Sequence, residues 1–151
     1  MIRKLISADR DAFLSLTREF YASDAVLHPI PEHYHTDAFD EMMRSDVYAD
    51  GFLIYYKEEL AGYAMTAKTY SHEAGGLCVW IEELYLSPAY RGKGLGHEFF
   101  AFAEEFYGKN VCRMRLETEP ENERAEALYK NLGFEVLGYR PFVKEFNQNE
   151  E

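Results

Sequence analysis

The chain has 151 residues, enough for one domain with a real core. Apolar residues make up 47% and aromatic residues 16%, a globular composition and not a disordered one. A formal net charge of −11 argues against a basic nucleic-acid-binding face and suits either a cationic small molecule or simple solubility.

No apolar run of about 18 residues offers a membrane span, and "MIRKLISADRDAF" holds no apolar core of signal-peptide length. The expectation is a soluble cytoplasmic protein that binds neither membrane nor nucleic acid. Ile2 to Ile6 reads as a first strand. Asp9 or Asp11 can cap a helix in which Phe13, Leu16 and Phe20 recur at helical spacing. "LHPIPEHYH" reads as a loop, and Thr36 then starts a second helix carrying Phe39, Met42 and Met43. Phe52 to Tyr56 and Leu60 to Thr69 read as strands joined by the tight "KEE" turn. A long strand covers Leu77 to Leu86 and ends at Ser87-Pro88. The next helix, with Leu95, Phe99, Phe102 and Phe106, ends at Gly108. Val111 to Thr118 is a strand, Glu121 to Leu132 a helix stopped by Gly133, and Phe134 to Leu137 and Phe142 to Phe146 closing strands. "NQNEE" reads as a frayed tail. The order β-α-α-β-β-β-α-β-α-β-β predicts an α/β fold with one mixed sheet flanked by helices, in a single domain over 1–151. Cys78 and Cys112 fall inside apolar segments and read as reduced core cysteines.

"YRGKGLG", Tyr90 to Gly96, lies between the long strand and the third helix. Glycines allow backbone N–H groups to converge on an anion, and a helix N-terminus adds partial positive charge. The Gly-Lys-Ser/Thr ending of a Walker loop is absent. A dinucleotide fingerprint would need a glycine where His97 stands, which makes a Rossmann-type binder a distant reading. The pattern is Arg91-x-x-Gly94-x-Gly96.

With its neighbours the stretch is more specific. "IEELYLSPAYRGKGLGHEFF" resembles the acetyl-CoA-binding segment of the GNAT superfamily of N-acetyltransferases, and "NERAEALYKNLGF" resembles its second signature. The resemblance implies a GNAT-like fold: a central mixed, splayed sheet flanked by about four helices. It also implies acetyl-CoA as cosubstrate. The backbone of Arg91, Gly92, Lys93, Gly94, Leu95 and Gly96 would cradle the pyrophosphate, with Arg91 and Lys93 adding charge. Leu84, Tyr85 and Leu86 would pair their main chain with the pantetheine arm. Asn122 either caps its helix or contacts the cofactor. Tyr129, one step off the apolar stripe of Ala125, Leu128 and Leu132, stands where the family places a general acid.

Acetyl transfer to nitrogen needs a neutral amine, yet an alkylamine of pKa near ~10 is neutral in roughly one molecule in a thousand at pH 7. A base must take the proton, and the leaving thiolate benefits from an acid. Glu82 and Glu83 are the candidate bases. Strand alternation sends them to opposite faces, and likeness to the polyamine-acetylating branch favours Glu82, as base or as ammonium-binding group. Glu83, His33, Tyr34 and His35 are lesser candidates for the acceptor site. The spacing of His28, His33 and His35 fits no standard zinc pattern, so no metal is expected. The expected reaction is direct transfer in a ternary complex to a small primary amine. The alternatives are acetylation of a protein or peptide N-terminus and a non-catalytic acetyl-CoA sensor. A homodimer is a family expectation.

Overall fold

The structure is a computed structural model, and it describes residues 1–146. The predicted tail at 147–151 lies outside the described residues. The chain divides into two compact units, Met1–Glu117 and Thr118–Glu151.

The first unit carries β1 (Ile2–Lys4), α1 (Arg10–Tyr21), α2 (Glu32–Arg44), β2 (Ala49–Tyr56), β3 (Glu59–Ser71), β4 (Gly76–Leu86), α3 (Leu95–Tyr107) and β5 (Val111–Arg115). The five strands form one mixed sheet in the order β1-β2-β3-β4-β5. Neighbours are antiparallel up to β4, and β5 runs parallel to β4. Alternation along β2 divides the core in two. Leu53 joins Phe13, Phe39 and Tyr63 in a cluster with α1 and α2. Phe52 points the other way, among the rings of Phe99, Phe102 and Phe106 on α3. Both faces of β2 are therefore covered, and its first six residues are all buried.

Asp50 ties this packing together. It is 2% exposed, accepts from the Tyr107 hydroxyl at 2.7 Å and pairs with Lys68 at 3.0 Å and Lys4 at 3.3 Å. Burial pushes its carboxyl up, but Tyr107, Lys68 and Lys4 outweigh burial and the net shift is downward.

Several expected boundaries move. Asp9 stands at the start of α1 but does not cap it; its carboxylate turns back to the Ile6 N–H and to Arg3, at 2.7–2.8 Å. The second helix begins at Glu32 and not at Thr36, so His33, Tyr34 and His35 are helical. Thr36 resembles a cap in sequence, but its hydroxyl bonds back to the His33 carbonyl at 3.0 Å inside the helix. The β2–β3 turn has only Lys57 and Glu58, both at positive φ. Cys78 is buried as expected, whereas Cys112 is exposed, on the residue where the β5 register slips.

The second unit is built on α4 (Glu123–Asn131). Gly133, at φ +94°, lets the chain turn so that the Phe134 N–H returns to the Tyr129 carbonyl at 2.9 Å. The expected closing strands are absent: residues 134–146 form no strand, and Phe142, Val143 and Phe146 are exposed. Pro141 removes a ladder donor, and the adjacent apolar pair Phe142-Val143 breaks period-two alternation. Among the described residues no helix is long and apolar enough to cross a membrane.

Candidate active site

Strand β4 is the spine of the site. It pairs with β3 along its whole length, from Ser71↔Gly76 to Gly62↔Leu86. Its pairing with β5 runs only from Leu77↔Val111 to Trp80↔Arg115. Beyond Trp80 that second edge has no strand partner among the described residues. The expected splay is present, and backbone groups along residues 81–86, the predicted Leu84–Leu86 stretch among them, are left to pair with something other than a strand.

The register with β3 slips here. Met65 faces Glu83 and Thr66 faces Ile81, so Glu82 is the extra residue of a β-bulge. The bulge interrupts the strict alternation on which the expectation of opposite faces for Glu82 and Glu83 rests. Both carboxylates act electrostatically on the Tyr21 hydroxyl of α1. Glu83 accepts from Tyr21 on Oε2 and from Tyr63, at 2.9 Å, on Oε1. Solvent reaches the Glu82 side chain, but the protein crowding around it still raises its pKa by desolvation, and the charges of Glu83 and Glu117 add to the rise.

Beyond the bulge the Tyr85 hydroxyl donates to Glu19 at 2.8 Å. Arg91 Nε donates to the Leu86 carbonyl at 3.0 Å, and its guanidinium lies 5.7 Å from the Tyr85 ring centre. Lys93 rests its ammonium 5.2 Å from the Tyr56 ring centre. Both cations stay exposed on a loop held against the sheet end. Gly92 and Gly94 sit at φ +74° and +79°, which an L side chain rarely adopts, and Gly94 is the N-cap of α3. Leu95, 2% exposed, anchors the first turn. The Glu98 N–H reaches back to the Gly94 carbonyl at 3.0 Å, so the N–H groups of Leu95, Gly96 and His97 have no acceptor inside the helix. An anion of phosphate type fits this loop and helix start.

The remaining expected residues divide. His33 and Tyr34 are exposed, with ring centres 4.8 Å apart. His35 is turned inward, 5% exposed, with Nδ1 3.1 Å from Thr17 Oγ1. Asn122 caps α4, its Oδ1 accepting from the Ala125 N–H at 3.1 Å, which leaves its amide N–H groups for another acceptor. Tyr129 is half-buried, and burial raises its pKa. Sequence reasoning missed Tyr21, Tyr63 and Thr17. The available signal was that a tyrosine buried in a strand must find a partner for its hydroxyl. Among the described residues no group of three or more His, Cys, Asp or Glu could hold a metal ion.

The acetyltransferase (GNAT) family profile matches residues 11–134. The chain belongs to the GNAT acetyltransferase family. It is 34% identical over 79 residues to thialysine N-epsilon-acetyltransferase of Bos taurus, covering 52% of this chain and 46% of that protein. It is 29% identical over 93 residues to spermine/spermidine N(1)-acetyltransferase of Bacillus subtilis, covering 59% and 61%. The chain thus spans about half the length of these curated relatives. Among solved structures, a possible acetyltransferase from Clostridium difficile superposes with a TM-score of 0.83 at 21% identity, over 98% of both chains. The aminoglycoside acetyltransferase AAC(6')-Iy, in complex with a CoA–acetylneamine bisubstrate analogue, gives 0.80 at 18% identity, over 97% of this chain and 98% of that one. The GNAT fold of the chain, a five-stranded mixed sheet with four helices, follows from these likenesses. GNAT acetyltransferases draw their acetyl group from acetyl-CoA.

Proposed function

We propose that this protein transfers an acetyl group from acetyl-CoA to a primary amine of a small cationic molecule, by direct transfer in a ternary complex. The observation that carries the reading is the bulge that gathers Glu82 and Glu83 where β4 parts from β5. The residues fit the cosubstrate. The Arg91–Gly96 loop and the start of α3 suit its pyrophosphate, the free edge of Leu84–Leu86 suits the amides of its pantetheine arm, and the Asn122 amide is a further donor. When bound, acetyl-CoA supplies the thioester. Glu83 holds the acceptor ammonium. Glu82, with a raised pKa, removes the proton that frees the nitrogen lone pair, directly or through water. Tyr129, protonated at neutral pH, supplies a proton to the leaving sulfur. The nitrogen gains its bond to the acetyl carbon as the carbon–sulfur bond breaks. Holding two reactants together supplies much of the rate, so neither Cys78 nor Cys112 is needed as a nucleophile. His33 and Tyr34, exposed on α2, are acceptor-site contacts in this reading. Both compact units belong to one acetyltransferase domain, a reading supported by a family match that runs through residues of each.

The polyamine and thialysine acetyltransferases among the relatives, together with the net charge of −11, support a cationic acceptor. The test is release of free coenzyme A from acetyl-CoA across spermidine, diamines, lysine analogues, aminoglycosides and short peptides. Saturable release is expected with the small polycations, and Glu82→Gln should lower kcat/KM roughly 10²- to 10³-fold. Release with peptides alone would move the assignment to N-terminal acetylation. Melting shifts with acetyl-CoA but no release with any amine would make the protein a sensor.

A further inference from the structure

Glu83 is held by more than its two tyrosine donors. Behind Tyr63 the polar contacts continue inward. The Tyr63 hydroxyl lies 3.4 Å from Thr17 Oγ1, and Thr17 Oγ1 lies 3.1 Å from His35 Nδ1. Tyr63, Thr17 and His35 are 0%, 3% and 5% exposed, so water does not substitute for these partners.

Proton counting fixes the direction of the chain at its Glu83 end. A carboxylate only accepts, and a tyrosine hydroxyl has one proton. Glu83 Oε1, at 2.9 Å, is both the nearer and the charged acceptor, so it takes the Tyr63 proton. With the proton of His35 on Nδ1, Thr17 accepts from His35 and donates to the Tyr63 oxygen; with the proton on Nε2, Thr17 donates to His35 instead. The 3.4 Å step is the loosest of the three. The contacts run without a break from α2 through α1 and β3 to Glu83 on β4. On the other side the His35 ring packs edge-on against Tyr21, with centroids 5.5 Å apart, and Tyr21 donates to Glu83 Oε2. His35 thus backs both tyrosines. Among the described residues, donors fill two of the four acceptor positions on the Glu83 carboxylate, which leaves two for the N–H groups of an ammonium.

We propose that His35, Thr17, Tyr63 and Tyr21 form a positioning network that locks the Glu83 carboxylate in one orientation and so sets the affinity of the acceptor amine. The inference rests on the amine-transfer reading above. His35 touches no substrate; it acts through Thr17 and Tyr63. A carboxylate already fixed loses little rotamer freedom when the ammonium arrives, and binding is stronger by that amount.

The test combines steady-state kinetics with calorimetric titration of spermidine into the protein. Thr17→Val should raise the acceptor KM and the spermidine Kd about 3- to 10-fold, with kcat and acetyl-CoA affinity unchanged. His35→Leu should behave alike. His35→Asn, whose amide can place a donor or an acceptor near the Nδ1 position, should restore most of the loss. On a Glu83→Ala background Thr17→Val should have almost no further effect, because coupled residues are not additive. Tyr21→Phe, at a half-buried position, provides a second entry to the network if the Thr17 variant does not fold. Normal turnover combined with additive losses, or losses confined to kcat, overturns the network and leaves the transfer reading standing. Spermidine binding that the variants weaken, with no coenzyme A release by the parent protein, supports the network and overturns the transfer reading. A protein that neither binds nor acetylates any amine overturns both.

Discussion

Glu82 and Glu83 share one side-chain chemistry and a peptide bond, yet the fold gives them different surroundings. Glu83 is gripped by two tyrosine hydroxyls, while Glu82 is crowded, beside like charges and, among the described residues, without such donors. A base works only when ionised, so the acid limb of kcat/KM should lie above the ordinary glutamate value of about 4.3. Glu83→Gln removes one of the two neighbouring charges and should move that limb to lower pH, while burial keeps it above the ordinary range. A pH–rate profile unmoved by this change removes Glu82 as the base. Tyr129→Phe should leave acetyl-CoA affinity intact by calorimetry and lower kcat about 10- to 100-fold. An unchanged kcat at saturation excludes Tyr129 from the chemistry. The turn from Arg91 to Gly96 ahead of α3 was legible in sequence because the backbone demands on its glycines are local. The bulge at Glu82 was not, because it depends on how β4 meets Met65 and Thr66 on another strand. Nothing local in the sequence marks Tyr21, Tyr63 and Thr17, because Glu83 and His35 reach them from other elements of the fold.

At the scale of elements, β4 and α3 were legible nearly to the residue, since both are bounded by glycine or proline and carry strong periodicity. The start of α2 was obscured by two prolines and by a threonine that mimics a cap. The closing strands were read from apolar content alone, which does not supply a ladder partner. The loop before α3 is the element with the clearest functional consequence. A Cβ at Gly94 would meet nothing within 4 Å, so the cost of Gly94→Ala is backbone strain alone, about 1–2 kcal/mol. The variant should stay folded by circular dichroism and bind acetyl-CoA about 10-fold more weakly, because its loop no longer holds the N–H groups in convergence. Unchanged affinity in a calorimetric titration would remove this loop from the cosubstrate site.

For the molecule as a whole, stability is tied to pH through its buried acids. The pKa of Asp9 is lowered chiefly by its hydrogen bond to Arg3, and that of Asp50 is lowered because its partners outweigh burial. A carboxyl depressed in the folded state stabilises fully above its unfolded value, near ~4, and loses that contribution as pH falls through the folded value. Denaturant unfolding should therefore show steep loss of stability below about pH 4. Asp50→Asn should flatten that dependence and cost about 2–3 kcal/mol at neutral pH, by leaving Lys68 and Tyr107 without their anion. An equally steep acid limb in this variant would place the sensitivity elsewhere. The parting of β4 from β5 has a last consequence. A sheet that releases one strand midway exposes a short template for any extended, amide-bearing chain, including a second unfolded protein. On the proposed reading, pantetheine lies along that template as if it were the next strand. The ligand that serves the chemistry would then also shield the edge against aggregation, and the protein would be most vulnerable to self-association when its cosubstrate is scarce.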